Sequence, residues 1–304
     1  MKAIRFSDIE PPSLIVDGSS VTDNRDCLDK NGICRFQGST AEAVNVIVID
    51  QSGFDPLNFV FEKKSQTIIR LIFEGEPKED IKIDFDLEED AKVIMTQIFA
   101  FTVTSPLKIS LKATVNKGAS LRIDDSLVHF GDLELDDCYS LCGENASLYH
   151  RTLHIASATE NVKRVQTVMH QAKSTISELE NYLIAVDTAK LKYHVSGIIE
   201  KGNNASSCKQ TNRGLIFGEH AEIEADPNLL INEFDVFAAH GAAIGQINED
   251  ELFYLKSRGI NELEAKKLIL AGYVNPFLKA LNHPEYAEHI NHLIEAKIKG
   301  AGLL

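Results

Sequence analysis

Short runs of alternating apolar and polar residues make up most of the chain. The clearest run is residues 81–87 (IKIDFDL), where apolar and charged side chains alternate strictly, which is the period of a half-buried β-strand. Similar runs occupy residues 44–49, 66–73, 92–104, 107–115 and 121–130. No long stretch with helical period precedes residue 247. The best local candidate, residues 162–169, is rich in β-branched residues, which favour strands.

A local signature recurs along these strands. A polar residue or glycine is followed by alanine, then by any residue and an apolar one, at Asp90-Ala91, Gly118-Ala119, Asn145-Ala146, Thr188-Ala189 and His220-Ala221. Successive alanines are 28, 27, 43 and 32 residues apart, intervals typical of solenoid repeats. Because nearly every segment is a short strand, the predicted solenoid is a β-helix whose turns stack on one another. A large β-sandwich, which also has short strands separated by turns, is the alternative.

The two ends of the chain differ from this central part. Proline and glycine pairs interrupt any period near the N-terminus, which predicts an irregular lead-in. Near the C-terminus the period becomes helical: capping boxes begin at Asn248 and Asn261, and Gly259 stands where a helix-terminating glycine belongs. The pattern therefore divides the chain into a lead-in, a β-helix core and a helical domain, at residues 1–35, 36–246 and 247–304.

Composition and charge narrow the function. The 31 basic and 45 acidic side chains give a net charge of −14, which argues against sequence-independent binding of nucleic acid and against docking on anionic lipid. No apolar run approaches the roughly 18 residues of a membrane span, and the N-terminal residues lack the apolar segment of a secretory signal. The 5 cysteines are widely spread and do not indicate a disulfide framework. These features predict a cytoplasmic globular protein.

Cysteine and histidine supply the candidate metal ligands. Cys138 and Cys142 face the same way if they lie on one strand, but their spacing is not the C-x2-C of a structural zinc site, and the simpler interpretation is two small buried residues. Cys208 lies in a polar stretch, which predicts exposure. His240 ends the last predicted strand among glycines and alanines, which leave room for a ligand. A structural histidine is the competing interpretation.

Two acidic pairs point to a rival function. Asp124-Asp125 and Asp136-Asp137 lie near predicted turns, where a β-helix polysaccharide lyase or hydrolase holds calcium. The simpler interpretation is that all four are solvated carboxylates. The sequence lacks the motifs of a nucleophile elbow, a phosphate loop, a zinc protease and a dinucleotide fold.

Four pieces of residues 209–260 form a long, specific pattern: QTNRGLIF, PNLLI at residues 227–231, HGAAIGQI and ELFYLKSRGI. This stretch resembles the SufB/SufD family of iron–sulfur cluster assembly scaffold proteins. The resemblance implies a right-handed parallel β-helix followed by a small C-terminal helical domain, and a scaffold without catalysis of its own. It also implies two partners: a SufC-like ABC ATPase on the C-terminal helices, which supplies the ATPase activity, and a second β-helix subunit.

The resemblance also implies roles for single residues. His240 corresponds to the histidine of the SufD-type H-G-A motif at the subunit interface, and Gly241 favours SufD because SufB-type proteins have H-E-A there. The SufB-type cysteine falls at Ala221, so that thiolate is missing. The cysteine and serine that usually precede the histidine are Ala238 and Ala239, which weakens the case for His240 as an iron ligand.

Several expectations follow from the resemblance. The ATPase-docking residues are expected at Phe253, Tyr254, Leu255 and Arg258. The second subunit is either SufB-like, supplying the missing thiolate, or a second copy of this chain. In a homodimer the ligands of a transient cluster or iron ion would come from Cys138, Cys142 and Cys208. Strands begin soon after the N-terminus, which predicts a minimal member of the family and keeps the homodimer open. A structural adaptor that binds no metal is the third possibility.

Overall fold

The structure, a computed structural model, describes residues 6, 12–17, 20–23, 28–29, 31–39, 43–50, 55–218, 220–280 and 283–299. These residues form a parallel β-helix of about seven turns followed by three helices, which confirms the predicted fold class. Inward positions of the strands are buried and outward positions are exposed, as their alternation predicted.

The strands form two sheets. From its N-terminal edge, the ten-stranded sheet contains β2 (Ser20–Asp23), β1 (Leu14–Asp17), β4 (Val44–Asp50), β6 (Gln66–Gly75), β8 (Lys92–Phe101), β10 (Ser120–Leu127), β12 (Ser147–Ala156), β14 (Ile176–Val186), β16 (Ser207–Phe217) and β18 (Phe237–Gln246). The eight-stranded sheet contains β3 (Ile33–Phe36), β5 (Leu57–Phe61), β7 (Ile81–Leu87), β9 (Leu107–Val115), β11 (Leu133–Leu141), β13 (Asn161–His170), β15 (Lys190–Ile199) and β17 (Glu222–Ile231). Consecutive strands alternate between the sheets from β3 onward, so each turn of the chain adds one parallel strand to both.

The repeated polar–alanine signature marks a corner of the β-helix. Asp90 and Asn145 both have a φ angle of 62°, the left-handed conformation in which aspartate and asparagine are enriched. The alanines that follow them, Ala91 and Ala146, are fully buried. A left-handed residue turns the chain, and a side chain of one methyl group lets the next turn stack directly on it.

The N-terminal lead-in is more regular than its sequence suggests. Three short strands, β1, β2 and β3, begin within it, and β1 pairs in parallel with β4. Each has four residues, too few to show a period beside the prolines and glycines that interrupt the segment. The best helical candidate, residues 162–169, lies within β13, in keeping with its β-branched content.

Three helices follow the β-helix: α1 (Glu249–Ser257), α2 (Glu262–Ala280) and α3 (Pro284–Lys299). Their starts agree with the predicted capping boxes. Asn248 Oδ1 accepts a hydrogen bond from the Asp250 N–H at 2.8 Å, and Asn261 Oδ1 accepts one from the Glu264 N–H at 2.9 Å. Within the described residues, no helix is both long enough and apolar enough to cross a membrane.

Helices α2 and α3 pack on the outer face of the ten-stranded sheet. A second apolar core joins Ile72 and Leu153 of the sheet to Phe277 of α2 and to Tyr286 and Ile290 of α3. The helical domain is therefore joined to the β-helix by buried apolar surface, which accounts for how so short a domain is stabilised.

Lys297 anchors the end of α3 to the β-helix. Its Nζ lies 2.5 Å from Glu160 Oε2, in the turn before β13, and 5.3 Å from the centre of the Phe130 ring. Glu160 Oε2 also accepts a hydrogen bond from the Ser157 N–H at 2.8 Å. Burial lowers the pKa of Lys297 to about 8, although Glu160 opposes the shift.

The free energy of unfolding of the wild type, measured relative to Lys297→Met, is expected to rise between pH 8 and pH 10. The unfolded chain keeps a lysine of pKa about 10.4, so over this interval it binds a proton that the folded protein has released, and stability rises with pH. The slope is at most about 1.4 kcal/mol per pH unit. Chemical denaturation of both proteins at each pH measures the difference in free energy of unfolding. Subtracting the values of the methionine variant removes the pH dependence that the other titrating groups contribute to both proteins. A flat or falling difference would contradict the lowered pKa.

Candidate functional site

The last turn of the β-helix ends in two unpaired strand edges, here called the open end. Among the described strands β17 pairs only with β15, and β18 only with β16. Phe237 is 60% exposed, Leu230 is 55% exposed, and Phe234 is fully exposed. Strand β18 (FAAHGAAIGQ) carries no charged residue of the kind that protects a free edge. The open end is therefore suited to pairing with a strand of another chain.

His240 lies on β18 at an inward-facing position of the open end. Its register partner on β16 is Gln210, whose side chain is buried, whereas His240 is exposed because no described strand covers it. The inward neighbours on the same strand are Ala238 and Ala242, so the predicted small-residue surroundings are present. No hydrogen bond or ion pair joins the imidazole to the described residues, and both of its nitrogens can bind a ligand.

Cys208 is buried, with 1% of its surface exposed, so the prediction of exposure is wrong. The polar character of its stretch has two sources: outward residues such as Lys209, and an interior that is itself polar here. A Cβ atom on Gly197 would lie 2.3 Å from the Cys208 sulfur, so the thiol occupies space that glycine leaves. Burial raises the pKa of Cys208, although a hydrogen bond with Ser177 opposes the shift. The thiol is thus held protonated, whereas metal ligation needs the thiolate.

Cys138 and Cys142 point outward from the eight-stranded sheet. Cys142 is exposed and Cys138 is half-buried, so the interpretation of both as buried residues is wrong. Four strand residues separate their Cα atoms by about 13 Å, too far for one metal ion. Burial raises the pKa of both thiols. Two strands, β13 and β15, lie between β11 and β17 at the open end, so the structure does not bring either cysteine to His240.

Few of the possible metal ligands lie close to one another. Across the part of the chain that the structure describes, no three side chains of His, Cys, Asp or Glu are placed to hold one metal ion. Cys34 on β3 is disulfide-bonded, at the opposite end of the β-helix from His240. A ligand set that includes His240 therefore needs further groups from a partner or from the bound species.

The acidic pairs lie within strands rather than at turns. Asp125 on β10 and Asp137 on β11 point inward, are fully buried and share the guanidinium of Arg164 on β13. Arg164 Nη2 lies 2.7 Å from Asp125 Oδ2 and 2.6 Å from Asp137 Oδ2. The expectation of solvated turn carboxylates is wrong for Asp125 and Asp137, because strand alternation turns the second residue of each pair inward, whereas Asp136 is exposed. The calcium-dependent lyase or hydrolase therefore loses two of its four candidate ligands.

Asp125, Arg164 and Asp137 belong to a larger polar network inside the β-helix. The sequence pattern did not predict this network. His150 Nε2 lies 2.7 Å from Asp125 Oδ2, and the Tyr139 hydroxyl lies 3.1 Å from His150 Nδ1. Burial alone would raise the pKa of Asp125, but His150 and Arg164 together lower it. Burial raises the pKa of Asp137, although Arg164 opposes this. The sequence signal was present in β13 (NVKRVQTVMH), where inward positions hold an arginine and a glutamine.

Amide side chains extend this network toward the open end. Asn181 Nδ2 donates hydrogen bonds to Gln166 Oε1 and to Asn212 Oδ1, both at 2.8 Å. Asn212 and its neighbour Gln210 are buried on β16, one turn below β18. A file of polar side chains therefore runs through the largely apolar interior of the last turns, toward the turn that carries His240.

The predicted docking residues lie on α1 and its C-terminal cap. Phe253 is 73% exposed, Tyr254 is 56% exposed and Leu255 is half-buried. The guanidinium of Arg258 lies 5.2 Å from the centre of the Tyr254 ring, and Leu268 of α2 adds a further exposed apolar side chain. Aromatic residues and arginine of this kind are enriched at the energetic centres of protein interfaces. We call Phe253, Tyr254, Leu255 and Arg258 the docking face.

The comparisons with known proteins all point to one family. Residues 62–273 match the family model described as "SUF system FeS cluster assembly, SufBD core domain". The iron–sulfur cluster assembly protein SufD of Bacillus subtilis is 28% identical over 192 residues, 61% of this chain and 44% of that protein. SufD of Escherichia coli is 27% identical over 162 residues, 53% of this chain and 38% of that protein. A SufBD family protein of Staphylococcus epidermidis is 25% identical over 222 residues, 72% and 47% of the two chains. Each match spans less than half of the relative's own length.

Proposed function

Because the chain belongs to the SufBD core family of the SUF system for iron–sulfur cluster assembly, we propose that it is a non-catalytic scaffold subunit on which clusters are assembled. The observation that carries this proposal is the open end, where two unpaired strand edges flank a histidine that makes no hydrogen bond or ion pair with the described residues. An exposed imidazole at a free sheet edge suits a ligand that is shared with a second subunit, since histidine can replace thiolate on a cluster iron. The cytoplasm is the proposed compartment.

A SufC-like ABC ATPase is the proposed partner of the docking face. Helix α1 carries no buried residue, so its apolar side chains remain largely accessible to a partner. The docking face lies on α1 and its C-terminal cap, whereas the open end lies on β17 and β18, so the two proposed contacts use different residues. ATP-driven closure of two ATPase subunits would then pull on two helical domains and shift the interface between the β-helices.

Tyr254→Ala combined with Arg258→Ala is expected to abolish co-purification of the ATPase. Central aromatic and arginine residues each contribute about 2 kcal/mol or more at an interface, so the double variant should bind at least a hundredfold more weakly. Affinity capture from co-expressing cells, quantified as ATPase per chain, measures this. Phe237→Ala at the open end is the matched control, because it removes an equally exposed aromatic ring and should retain the ATPase. Equal capture of the ATPase by the double variant and the wild type would contradict the assignment of the docking face to the ATPase.

The open end is the proposed contact with a second β-helix subunit, through edge-to-edge pairing of the last strands. In a heterodimer, a SufB-like subunit supplies the thiolate that Ala221 does not. In a homodimer, Cys208 is the described free thiol nearest to the open end, since it lies on β16, one turn below β18. Subunit stoichiometry after anaerobic co-expression separates the two pairings. If the chain forms a homodimer that holds a cluster, loss of that cluster in the Cys208→Ser variant supports the homodimer with Cys208 as a ligand.

A further inference from the structure

Part of the outer face of the ten-stranded sheet is not covered by helices α2 and α3. These helices pack against later outward residues of the strands, such as Ile98 and Leu153. Earlier outward residues are accessible: Ile94 of β8 is 50% exposed, Tyr149 of β12 is 37% exposed and Ile176 of β14 is 40% exposed. A single exposed apolar residue is ordinary, but three on one sheet face indicate a contact surface.

Two neighbouring strands at the centre of this face carry side chains that attract one another. Register pairs place Arg122 of β10 beside Tyr149 of β12, and Asp124 of β10 beside Arg151 of β12. Asp124 Oδ1 lies 2.7 Å from Arg151 Nη2. Each row therefore joins a cation to a group that attracts it, an aromatic ring in one row and a carboxylate in the other. We call this surface the bare face: Ile94, Arg122, Asp124, Tyr149, Arg151 and Ile176.

Contacts within the chain leave polar groups of this region available. Arg122 Nε lies 3.4 Å from Asp124 Oδ2, a long contact, and the Arg122 side chain is 53% exposed. Glu180 of β14 makes no hydrogen bond or ion pair with the described residues. Four side chains of the bare face line a shallow cleft of about 140 Å³ together with Glu178 and Glu180. A second molecule can therefore reach both the charges and the cleft.

This region also differs in charge from the chain as a whole. The first three outward positions of β8, β10, β12, β14 and β16 hold four basic and three acidic side chains. The whole chain has a net charge of −14. Two such chains repel each other, and the repulsion is weakest where basic and acidic side chains balance. The bare face is therefore a surface at which two copies can approach.

We infer that the bare face is a contact between two copies of this chain. A two-fold axis that lies in the plane of contact, along the strands and midway between β10 and β12, sets the same surface of each copy against the other. It places Asp124 of one copy opposite Arg151 of the other, and Arg122 opposite Tyr149, and the reverse pairs form at the same time. The face is its own complement, which favours a second copy over an unrelated partner.

The neighbouring strands tolerate this arrangement. The axis brings β8 of one copy opposite β14 of the other, so the alkyl chain of Lys92 meets Ile176. Glu180 meets the Thr96 hydroxyl, which can donate the hydrogen bond that Glu180 does not receive in its own chain. No like charges face each other in the first three outward positions of β8, β10, β12 and β14.

The size of this region predicts a weak contact. Five strands about 4.8 Å apart, with three outward positions on each, cover roughly 25 Å by 20 Å, or about 500 Å² per copy. The total of about 1,000 Å² is at the low end for specific interfaces. The dimer is therefore expected to dissociate on dilution and at high ionic strength, which screens its surface charges.

Sedimentation equilibrium of the full-length protein measures the mass of the assembly. Asp124→Arg and Arg151→Asp are each expected to weaken association about tenfold or more, since two ion pairs across the axis become like-charge contacts. A mixture of the two variants sets arginines opposite aspartates and should regain the wild-type mass. Asp136→Arg and Lys112→Asp are the matched controls, because they make the same changes of charge on the outer face of the eight-stranded sheet.

The mass is expected to halve in either variant of the bare face whether or not the open ends also pair, so the test does not depend on the proposed function. A mixture that regains the wild-type mass supports the inference. A wild-type mass that neither variant lowers overturns it, and so does a mixture that stays dissociated.

Two further measurements complete the test. If Arg151→Asp releases only a co-expressed SufB-like subunit, the face belongs to that subunit and the inference is wrong. Thermal denaturation checks that each variant is folded. For a variant that does not fold, the wild type decides: its mass must fall at high ionic strength, and a mass that stays constant overturns the inference.

Discussion

Replacing Arg164 by methionine is expected to lower the free energy of unfolding by about 3–5 kcal/mol. Arg164 is fully buried and is the cation between Asp125 and Asp137, with N–O distances of 2.7 and 2.6 Å. Methionine fills similar volume but leaves the buried Asp137 carboxylate without its ion-pair partner and Asp125 with His150 alone. The penalty for an uncompensated buried charge exceeds the net contribution of an intact pair.

Chemical denaturation of the wild type and Arg164→Met measures the loss. Arg213→Met is the matched control, because Arg213 is exposed and its guanidinium lies 5.6 Å from the centre of the Tyr182 ring. Arg213→Met should lower the free energy of unfolding by less than about 1 kcal/mol. Adding Asp125→Leu and Asp137→Leu to Arg164→Met should recover most of the loss, since an apolar set of similar volume needs no counter-charge. An Arg164→Met protein as stable as the Arg213→Met control would contradict the assignment.

Gly143→Ala is expected to destabilise the β-helix by about 3 kcal/mol, at the upper end of the usual cost of overpacking. A Cβ atom on Gly143 would lie 1.9 Å from the backbone nitrogen of Lys117 and 2.3 Å from its Cα, in the corner of the preceding turn. The two turns cannot separate easily, because the Gly118 N–H donates to the Glu144 carbonyl at 2.9 Å between them. Accommodating the methyl group therefore requires breaking turn-to-turn hydrogen bonds.

The control for this prediction is the same substitution in a helix. Nothing lies within 4 Å of a Cβ built on Gly272, which is inside α2. Gly272→Ala should stabilise the protein by about 0.5–1 kcal/mol, since glycine is a poor helix former. Thermal denaturation should show opposite changes in Tm for the two variants. A Gly143→Ala protein with unchanged Tm would show that the corners have more room than the structure places there.

The fold was largely predictable because its signals are local. Strict alternation, as in residues 81–87, depends only on strand period, and residues such as Asp90 turn the chain through their own backbone conformation. Short strands such as β3 were missed because four residues do not establish a period. Partner strands were not predictable from the same signals, since which turns stack depends on contacts between distant residues.

The site was predictable only in part. His240 was found through its small neighbours, but its exposure has a different cause, an inward position that no described strand covers. Cys208 was misjudged because its polar neighbours at inward positions look, in sequence, like polar residues at outward positions. Arg164 was missed for the same reason. The register that distinguishes the two faces becomes clear only once neighbouring turns are aligned.

The most direct test of the scaffold function is anaerobic purification of the chain after co-expression with an ABC ATPase of the SufC type, with and without a SufB-like subunit. Iron, acid-labile sulfide and subunit stoichiometry are measured on each complex. The account predicts a complex of ATPase with two β-helix subunits that retains iron and sulfide, and loss of both on His240→Ala. A chain that captures neither partner, or a complex whose iron and sulfide content is unchanged by His240→Ala, would contradict it.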